Sequence, residues 1–273
     1  MREETITSRS NDKAKFIRSL NDKKARIQSR CFYLEGIKVV NEVIEKKGAI
    51  NLKFIAYSEE LLLRANGGKE ILNKIRMQEY AISFSKYVFE TLTDTKTPQG
   101  VLAVLEYSND FNIIMEDNIL VLDRVQDQGN LGTIIRTADA FGIKQIICTQ
   151  GTADVYSPKV LRSTMGSILR EKIIYVDDIN KIEKLKNNGY NIVGTTLNDK
   201  SISIEKFDFS KKSIFVMGNE ANGISKDIES ICDFFIKIPM TGSAESLNVA
   251  VATSIILYLS LIHIWRCRRS HKC

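Results

Sequence analysis

The chain has 273 residues, of which 44% are hydrophobic and 26% charged, with a formal net charge of +6. These proportions exclude a disordered or collagen-like chain and describe a globular protein long enough for two modest domains. Its five cysteines (Cys31, Cys148, Cys232, Cys267, Cys273) form no Cys-x-x-Cys pair and no zinc-finger spacing, so the expectation is a reduced, cytoplasmic protein without structural metal.

Met1-Arg-Glu-Glu has no apolar segment behind it, and no signal peptide is expected. Residues 1–30 form a basic N-terminal arm, with nine cations against four acids. Two readings stand side by side: a solvated arm and helix, or an arm that contacts phosphates.

Residues 31–106 read as a small α/β unit. Leu34, Ile37, Val40, Val43 and Ile44 stand near helical spacing and predict a helix over 34–47. Leu52 to Tyr57 predicts a strand, and Lys69 to Met77 a helix after the Gly67-Gly68 break. Tyr80 to Ser83 and Gly100 to Glu106 are further strands, and 107–117 is a polar linker.

Residues 118–258 alternate strand and helix. The apolar runs at 119–122, 144–148, 191–195, 213–217 and 234–238 are short and continuous rather than alternating, as in strands covered on both faces. The expected fold is α/β, with a mostly parallel sheet, helices on both faces, and ligands at the carboxyl ends of its strands.

Residues 259–273 differ in composition: they hold the only Trp, both His and two of the five Cys. They resemble translated adapter or vector sequence and are set aside as a non-native tail. Without the cations Arg266, Arg268, Arg269 and Lys272 the net charge falls from +6 to +2, so overall basicity does not argue for nucleic acid. The apolar stretch 247–264 is interrupted by Asn248, Thr253 and Ser254 and reads as a buried core helix, not a membrane span.

Three Gly-rich segments fall at strand-to-helix junctions. In Asp127-Gln-Gly-Asn-Leu-Gly-Thr-Ile-Ile-Arg-Thr-Ala-Asp-Ala-Phe-Gly142, Asn130 is the expected N-cap, Leu131, Ile134, Ile135 and Ala138 the buried stripe, and Gly142 the stop. Arg136 lies between stripe positions and points either to a cleft or partner, or simply to solvent.

In Met217-Gly-Asn-Glu-Ala-Asn-Gly223, Gly218 and Gly223 permit a tight backbone, and Glu220 either accepts hydrogen bonds at a site or complements a helix dipole. No Gly-Lys-Ser/Thr follows, which argues against a Walker-type phosphate loop.

In Ile238-Pro-Met-Thr-Gly-Ser-Ala-Glu-Ser-Leu-Asn-Val-Ala-Val-Ala252, Ser246 is the expected cap of a helix apolar nearly all round, with Asn248 the polar exception. Asn248 joins either a capping network or a ligand. A fourth stretch, Ser157 to Ser167, carries Lys159, Arg162 and Ser163 on a helix. They suit either phosphate contact or a solvated basic face.

In this order, the three segments resemble the signature motifs of the SpoU/TrmH family of RNA ribose 2′-O-methyltransferases. Up to Tyr258 the resemblance covers nearly the whole chain, and Thr97-Pro-Gln-Gly-Val-Leu-Ala-Val104 looks like the end of the family's RNA substrate-binding domain. It implies S-adenosylmethionine as cofactor, RNA as partner with ribosomal RNA favoured over transfer RNA, a deep trefoil knot, and a homodimer with active sites at the subunit interface.

Carried over by position, Asn130 and Arg136 match the catalytic asparagine and arginine. Glu220 matches the second-motif glutamate, and Ser246 and Asn248 the third-motif serine and asparagine. Thr195, Gly218, Ile238 and Leu247 match positions near the cofactor. Gln128 stands where the family commonly has Pro, which is expected to loosen the turn. Since both His lie in the tail, the implied chemistry runs without histidine, and Arg136, which rarely gives up its proton, is expected to position rather than to act as base. The alternatives are a transfer-RNA ribose methyltransferase, a knotted methyltransferase acting on a base nitrogen, and an RNA-binding protein with a degenerate cofactor pocket.

Overall fold

A computed structural model describes residues 4–46, 50–108, 113, 118–198 and 200–270, with side chains as far as 263. The linker expected at 107–117 lies partly outside the described residues, as do the first three residues and the last three. Two compact units result: residues 1–108 with 156–169, and residues 109–155 with 170–273.

The first unit opens with α1 (Asp12–Ser19) and α2 (Lys23–Ser29), capped by Asn11 and Asp22. Then come β1 (Cys31–Glu35), α3 (Ile37–Glu45), β2 (Leu52–Tyr57), α4 (Glu59–Arg64), α5 (Gly68–Arg76), β3 (Ala81–Ser83), α6 (Lys86–Phe89) and β4 (Val101–Glu106). The four strands form one sheet in the order β1-β4-β2-β3, antiparallel except for β2 with β3.

The basic segment 1–30 is not merely solvated. Ala14, Ile17 and Leu20 are fully buried in a cluster with Phe54, Phe84 and Phe89, each large side chain contributing about 2 kcal/mol through burial. Ile6 adds a parallel bridge to Phe84 beside β3.

The helix expected from Leu34 begins later. Residues 31–35 pair with β4 as a strand, and Gly36, at φ +118°, turns the chain into α3. Leu34 fits the helical spacing only by coincidence, because a buried strand residue is as apolar as a helix stripe.

The second unit contains β5 (Asn118–Leu122), α7 (Gln128–Ala140) and β6 (Gln145–Thr149). The next helix, α8 (Pro158–Thr164), packs on β1 in the first unit. The second unit resumes with β7 (Lys172–Val176), α9 (Asn180–Glu183), β8 (Asn191–Thr195), β9 (Ile202–Ser203), β10 (Ser213–Met217), α10 (Lys226–Ile231), β11 (Phe234–Lys237) and α11 (Val249–Ser270).

Its seven strands run in the order β7-β6-β5-β10-β8-β11-β9, and every described pairing is parallel. All residues of β5, β6 and β10 are buried, as strands with both faces covered must be. Ile119, Val121, Ile147, Ile192, Ile214 and Val216 make one face of the core, closed by Ile182, Ile228 and Ile231.

The chain winds outward from β5 to β6 and β7 on one side, crosses to β8 and β9 on the other, and then places β10 between β5 and β8. The order therefore reverses between β5 and β10, and the crevice above their carboxyl ends is where such sheets bind ligands. β7 and β9, not anticipated from the sequence, stand at the two edges. Helix α11 continues through the segment read as a tail, to Ser270. It is not buried all round: Val251 and Tyr258 are half exposed. No helix among the described residues is long and apolar enough to cross a membrane.

Candidate active site at the carboxyl ends of the strands

The first motif starts α7, but its cap is Asp127 rather than Asn130. Asp127 Oδ1 accepts from Asn130 N at 2.7 Å and its carbonyl from Leu131 N at 3.0 Å. Gln128 takes the first helical position. Asp127 closes that turn through its side chain and its carbonyl.

Relieved of capping, the Asn130 side chain bridges the other two motifs. Its Nδ2 donates to Glu220 Oε1 at 2.7 Å, and its Oδ1 accepts from Asn248 Nδ2 at 3.0 Å. Asn248, not Ser246, caps α11: its Oδ1 accepts from Ala250 N at 2.9 Å and Val251 N at 3.3 Å. A carboxylate at one end and helix N–H groups at the other leave only one arrangement of the two amides.

The second motif follows β10 as a closed loop. Asn219 and Gly223 exchange two backbone hydrogen bonds of 2.9 Å, and Asn219 Oδ1 accepts from Ala221 N and Asn222 N. Gly218 sits beneath this loop, where a Cβ would lie 2.3 Å from the Gly223 carbonyl carbon, so no side chain fits.

A cavity of about 430 Å³ opens here. It brings together six of the residues singled out from the sequence: Thr195, Gly218, Glu220, Ile238, Ser246 and Leu247. Leu197, Met240, Glu245, Ala252 and Ile256, none of them a site residue expected from the sequence, are also part of the wall, and Lys237 adds a cation to it. The apolar ones carry no chemical signature to find them by, whereas Glu245 stood inside the third motif. Thr195 Oγ1 donates to the Val216 carbonyl at 2.8 Å, tying β8 to β10 at the cavity edge. The volume and mixed wall suit one small organic ligand.

Asn130 and Asn248 belong to the hydrogen-bonded chain but do not line this cavity. Arg136 is exposed on α7 and makes no hydrogen bond or ion pair among the described residues. Lys159 and Arg162 are exposed on α8 in the first unit, while Ser163 Oγ donates back to the Lys159 carbonyl at 3.1 Å. The one described histidine, His263, stacks on Phe209 with ring centroids 5.4 Å apart.

Burial pushes the Cys148 thiol up, and that of Cys232 to about 12, so neither is a nucleophile near neutral pH. Among the described residues no group of three or more His, Cys, Asp or Glu could hold a metal.

Residues 117–258 match the SpoU rRNA Methylase family, and residues 11–103 match an MRM3-like substrate binding domain. The 23S rRNA (guanosine(2553)-2′-O)-methyltransferase RlmP of Bacillus subtilis is 31% identical over 93% of this chain and 97% of its own. The 23S rRNA (uridine(2479)-2′-O)-methyltransferase of Streptomyces viridochromogenes is 30% identical over 93% of this chain and 90% of its own. An AdoMet-bound rRNA methyltransferase from Sinorhizobium meliloti superposes with a TM-score of 0.82 at 32% identity, covering 96% of this chain and 98% of that one. With its three motifs joined by hydrogen bonds through Asn130 and relatives matched along almost their full length, the chain belongs to the SpoU rRNA Methylase family.

Proposed function

We propose that this protein methylates a ribose 2′-hydroxyl of ribosomal RNA, using S-adenosylmethionine. The observation that carries the reading is the continuous hydrogen-bonded chain Asn248–Asn130–Glu220 at the rim of the cavity. The relatives that match along almost their whole length are named as ribose methyltransferases of 23S ribosomal RNA, which favours that RNA.

The residues present fit the cofactor. Leu197, Ile238, Leu247, Ala252 and Ile256 offer apolar surface for an adenine ring, and the charged groups of the wall, Glu220, Glu245 and Lys237, suit a ligand that carries both an amino group and a carboxylate. Bound there, S-adenosylmethionine supplies a methyl group on a positively charged sulfur.

This chain's own residues then have to place the hydroxyl. Asn130 keeps one N–H and one lone pair beyond its two bonds, and Glu220 keeps its second carboxylate oxygen. Those groups hold the ribose in line for transfer, and proximity supplies much of the rate. Arg136 orients the hydroxyl and an RNA phosphate that takes its proton, because a guanidinium does not itself serve as base.

Lys159, Arg162 and Ser163, together with residues 31–106 as an RNA substrate-binding domain, engage the RNA backbone. Residues 118–258 act as the catalytic domain, with the donor pocket formed by a trefoil knot. Two copies pair through the exposed stripe of α11 that carries Val251 and Tyr258, and the enzyme works in the cytoplasm.

Mapping 2′-O-methyl groups across total RNA in cells with and without the protein tests this reading. Loss of one ribose methyl in 23S ribosomal RNA is expected. Loss of a base methyl, or no change, overturns it.

A further inference from the structure

Asp123 is 2% exposed and follows directly on the last residue of β5. Buried carboxylates are tolerated only when hydrogen bonds replace their water, and this one is bonded through both oxygens. Oδ2 accepts from the backbone N of Ser225 at 2.6 Å, and Oδ1 accepts from the Thr149 hydroxyl at 2.8 Å. The same Thr149 oxygen accepts from Arg124 N at 3.2 Å, and Asp123 N donates to the Met217 carbonyl at 2.8 Å. Asp123 thus joins the end of β5 to the end of β10 through its backbone N–H, and to the end of β6 and the start of α10 through its carboxylate.

The adjoining residue holds the other end of the same loop. Arg124 stands in the left-handed region at φ 57°, an unfavourable conformation for a residue with a side chain, and its carbonyl accepts from Asn219 Nδ2 at 3.0 Å. Its Nε lies 3.7 Å from Asp123 Oδ1 with no hydrogen bond to any partner. Asn219 and Ser225 bracket the second-motif loop, so both of its ends are pinned to two consecutive residues just past the end of another strand, β5. Glu220 hangs between those pins and holds Asn130.

We infer that Asp123 is the positioning residue of the methyl-donor site: it touches neither donor nor RNA, and acts by fixing the loop 218–225 against the end of β5. This rests on the functional reading above, which supplies the ligand. A charge-assisted hydrogen bond to a backbone N–H is among the stronger restraints a loop can have. Without it, donor binding has to order the loop first, and affinity falls accordingly.

The test is calorimetric binding of S-adenosylmethionine to the full chain, alongside hydrogen exchange of the ligand-free protein. Ser225 has φ −70° and ψ 155°, a conformation proline adopts, so Ser225→Pro deletes the N–H that Asp123 accepts, and Ser225→Ala controls for the lost side-chain cap. Asp123→Ala removes the carboxylate. The expected result is a donor Kd raised about tenfold or more in Asp123→Ala and in Ser225→Pro relative to Ser225→Ala, the scale of one lost charge-assisted bond. In Asp123→Ala the amides of 219–225 should exchange faster, while those of β8 and β11 do not.

A structural role alone would lower the melting temperature and leave the Kd of folded protein, measured well below it, within about twofold of wild type, which is inside ordinary scatter; that result overturns the inference. Should Asp123→Ala fail to fold, the Ser225→Pro and Ser225→Ala pair decides, and equal Kd values there overturn it. Wild type that binds no donor would overturn the functional reading instead, before any variant is compared.

Discussion

Asn130 and Glu220, 90 residues apart in sequence, share a 2.7 Å hydrogen bond whose direction is forced by chemistry. A carboxylate only accepts, so the amide nitrogen of Asn130 faces it. Asn130 Oδ1 then faces Asn248, whose own oxygen is committed to the first N–H groups of α11. The polarity of the whole chain runs from the helix N-terminus to the carboxylate without a free choice at any link.

Breaking any link should misplace the rest. Asn130→Ala and Glu220→Ala are each expected to lower turnover about 100-fold, as misplacement near a reacting group does. Their effects should be strongly non-additive in a double-mutant cycle on single-turnover rates. Additive losses would mean that the two side chains act separately.

Arg136 is exposed and bonded to nothing in the described chain, so its removal should not unfold the protein. Arg136→Ala is expected to move stability by less than about 0.5 kcal/mol, as for other surface changes, yet to abolish most methyl transfer in a radiolabel assay. Arg136→Lys should not restore it, because an ammonium lacks the planar fork that holds a hydroxyl and a phosphate together. Wild-type turnover in either variant would remove Arg136 from the mechanism.

Gly218 offers a steric test. A Cβ there would lie 2.3 Å from the Gly223 carbonyl carbon, so Gly218→Ala must push the second-motif loop away. Weaker donor binding by calorimetry is the expected result, with RNA binding by the first unit unchanged in a filter assay.

Val251 and Tyr258 are 48% and 52% exposed on the same helix. Val251→Asp or Tyr258→Asp should convert a dimer to monomer in sedimentation velocity, by placing a charge in an apolar contact. A wild-type protein that sediments as a monomer would exclude that interface.

Glu171 gives a pH dependence remote from the chemistry. Its side chain is fully buried, both oxygens lack a hydrogen-bond partner, and Lys144 Nζ stands 3.8 Å away. Burial raises its pKa to about 7, with Lys144 opposing the shift. The unfolded chain ionises near about 4.3, so between that pH and about 7 the folded state holds a proton the unfolded state has lost. Stability therefore falls as pH rises through this window and stays reduced above it. Glu171→Gln should be more stable than wild type at pH 8 by up to about 3 kcal/mol and nearly equal at pH 4, read from urea titrations.

Much of the second unit was legible because strands such as Ile119–Leu122 and Ser213–Met217 are buried on both faces and stand out as short apolar runs. β7 was not anticipated although Ile173, Ile174, Tyr175 and Val176 are all strand formers; what the sequence does not carry is its edge position, which shows only in the exposure of Tyr175. The motif residues were legible as types but not as caps. Where Asp127 and Asn130, or Ser246 and Asn248, lie within one turn, any of them satisfies the N-cap preference, and only the backbone path decides. Asp123 gave no signal, because a carboxylate after a strand reads as a solvated turn until Ser225 and Thr149 arrive from 102 and 26 residues away.

β5 pairs not only with β6, its neighbour in sequence, but also with the distant β10, and Asn130 meets its partners 90 and 118 residues further on. A nascent chain that has emerged only as far as α10 therefore lacks α11 and the cap that orients Asn130. The hydrogen-bonded chain through Asn130 is therefore complete only once α11 has been made, and a product cut short before it is expected to lack methyl transfer even where its first unit has folded.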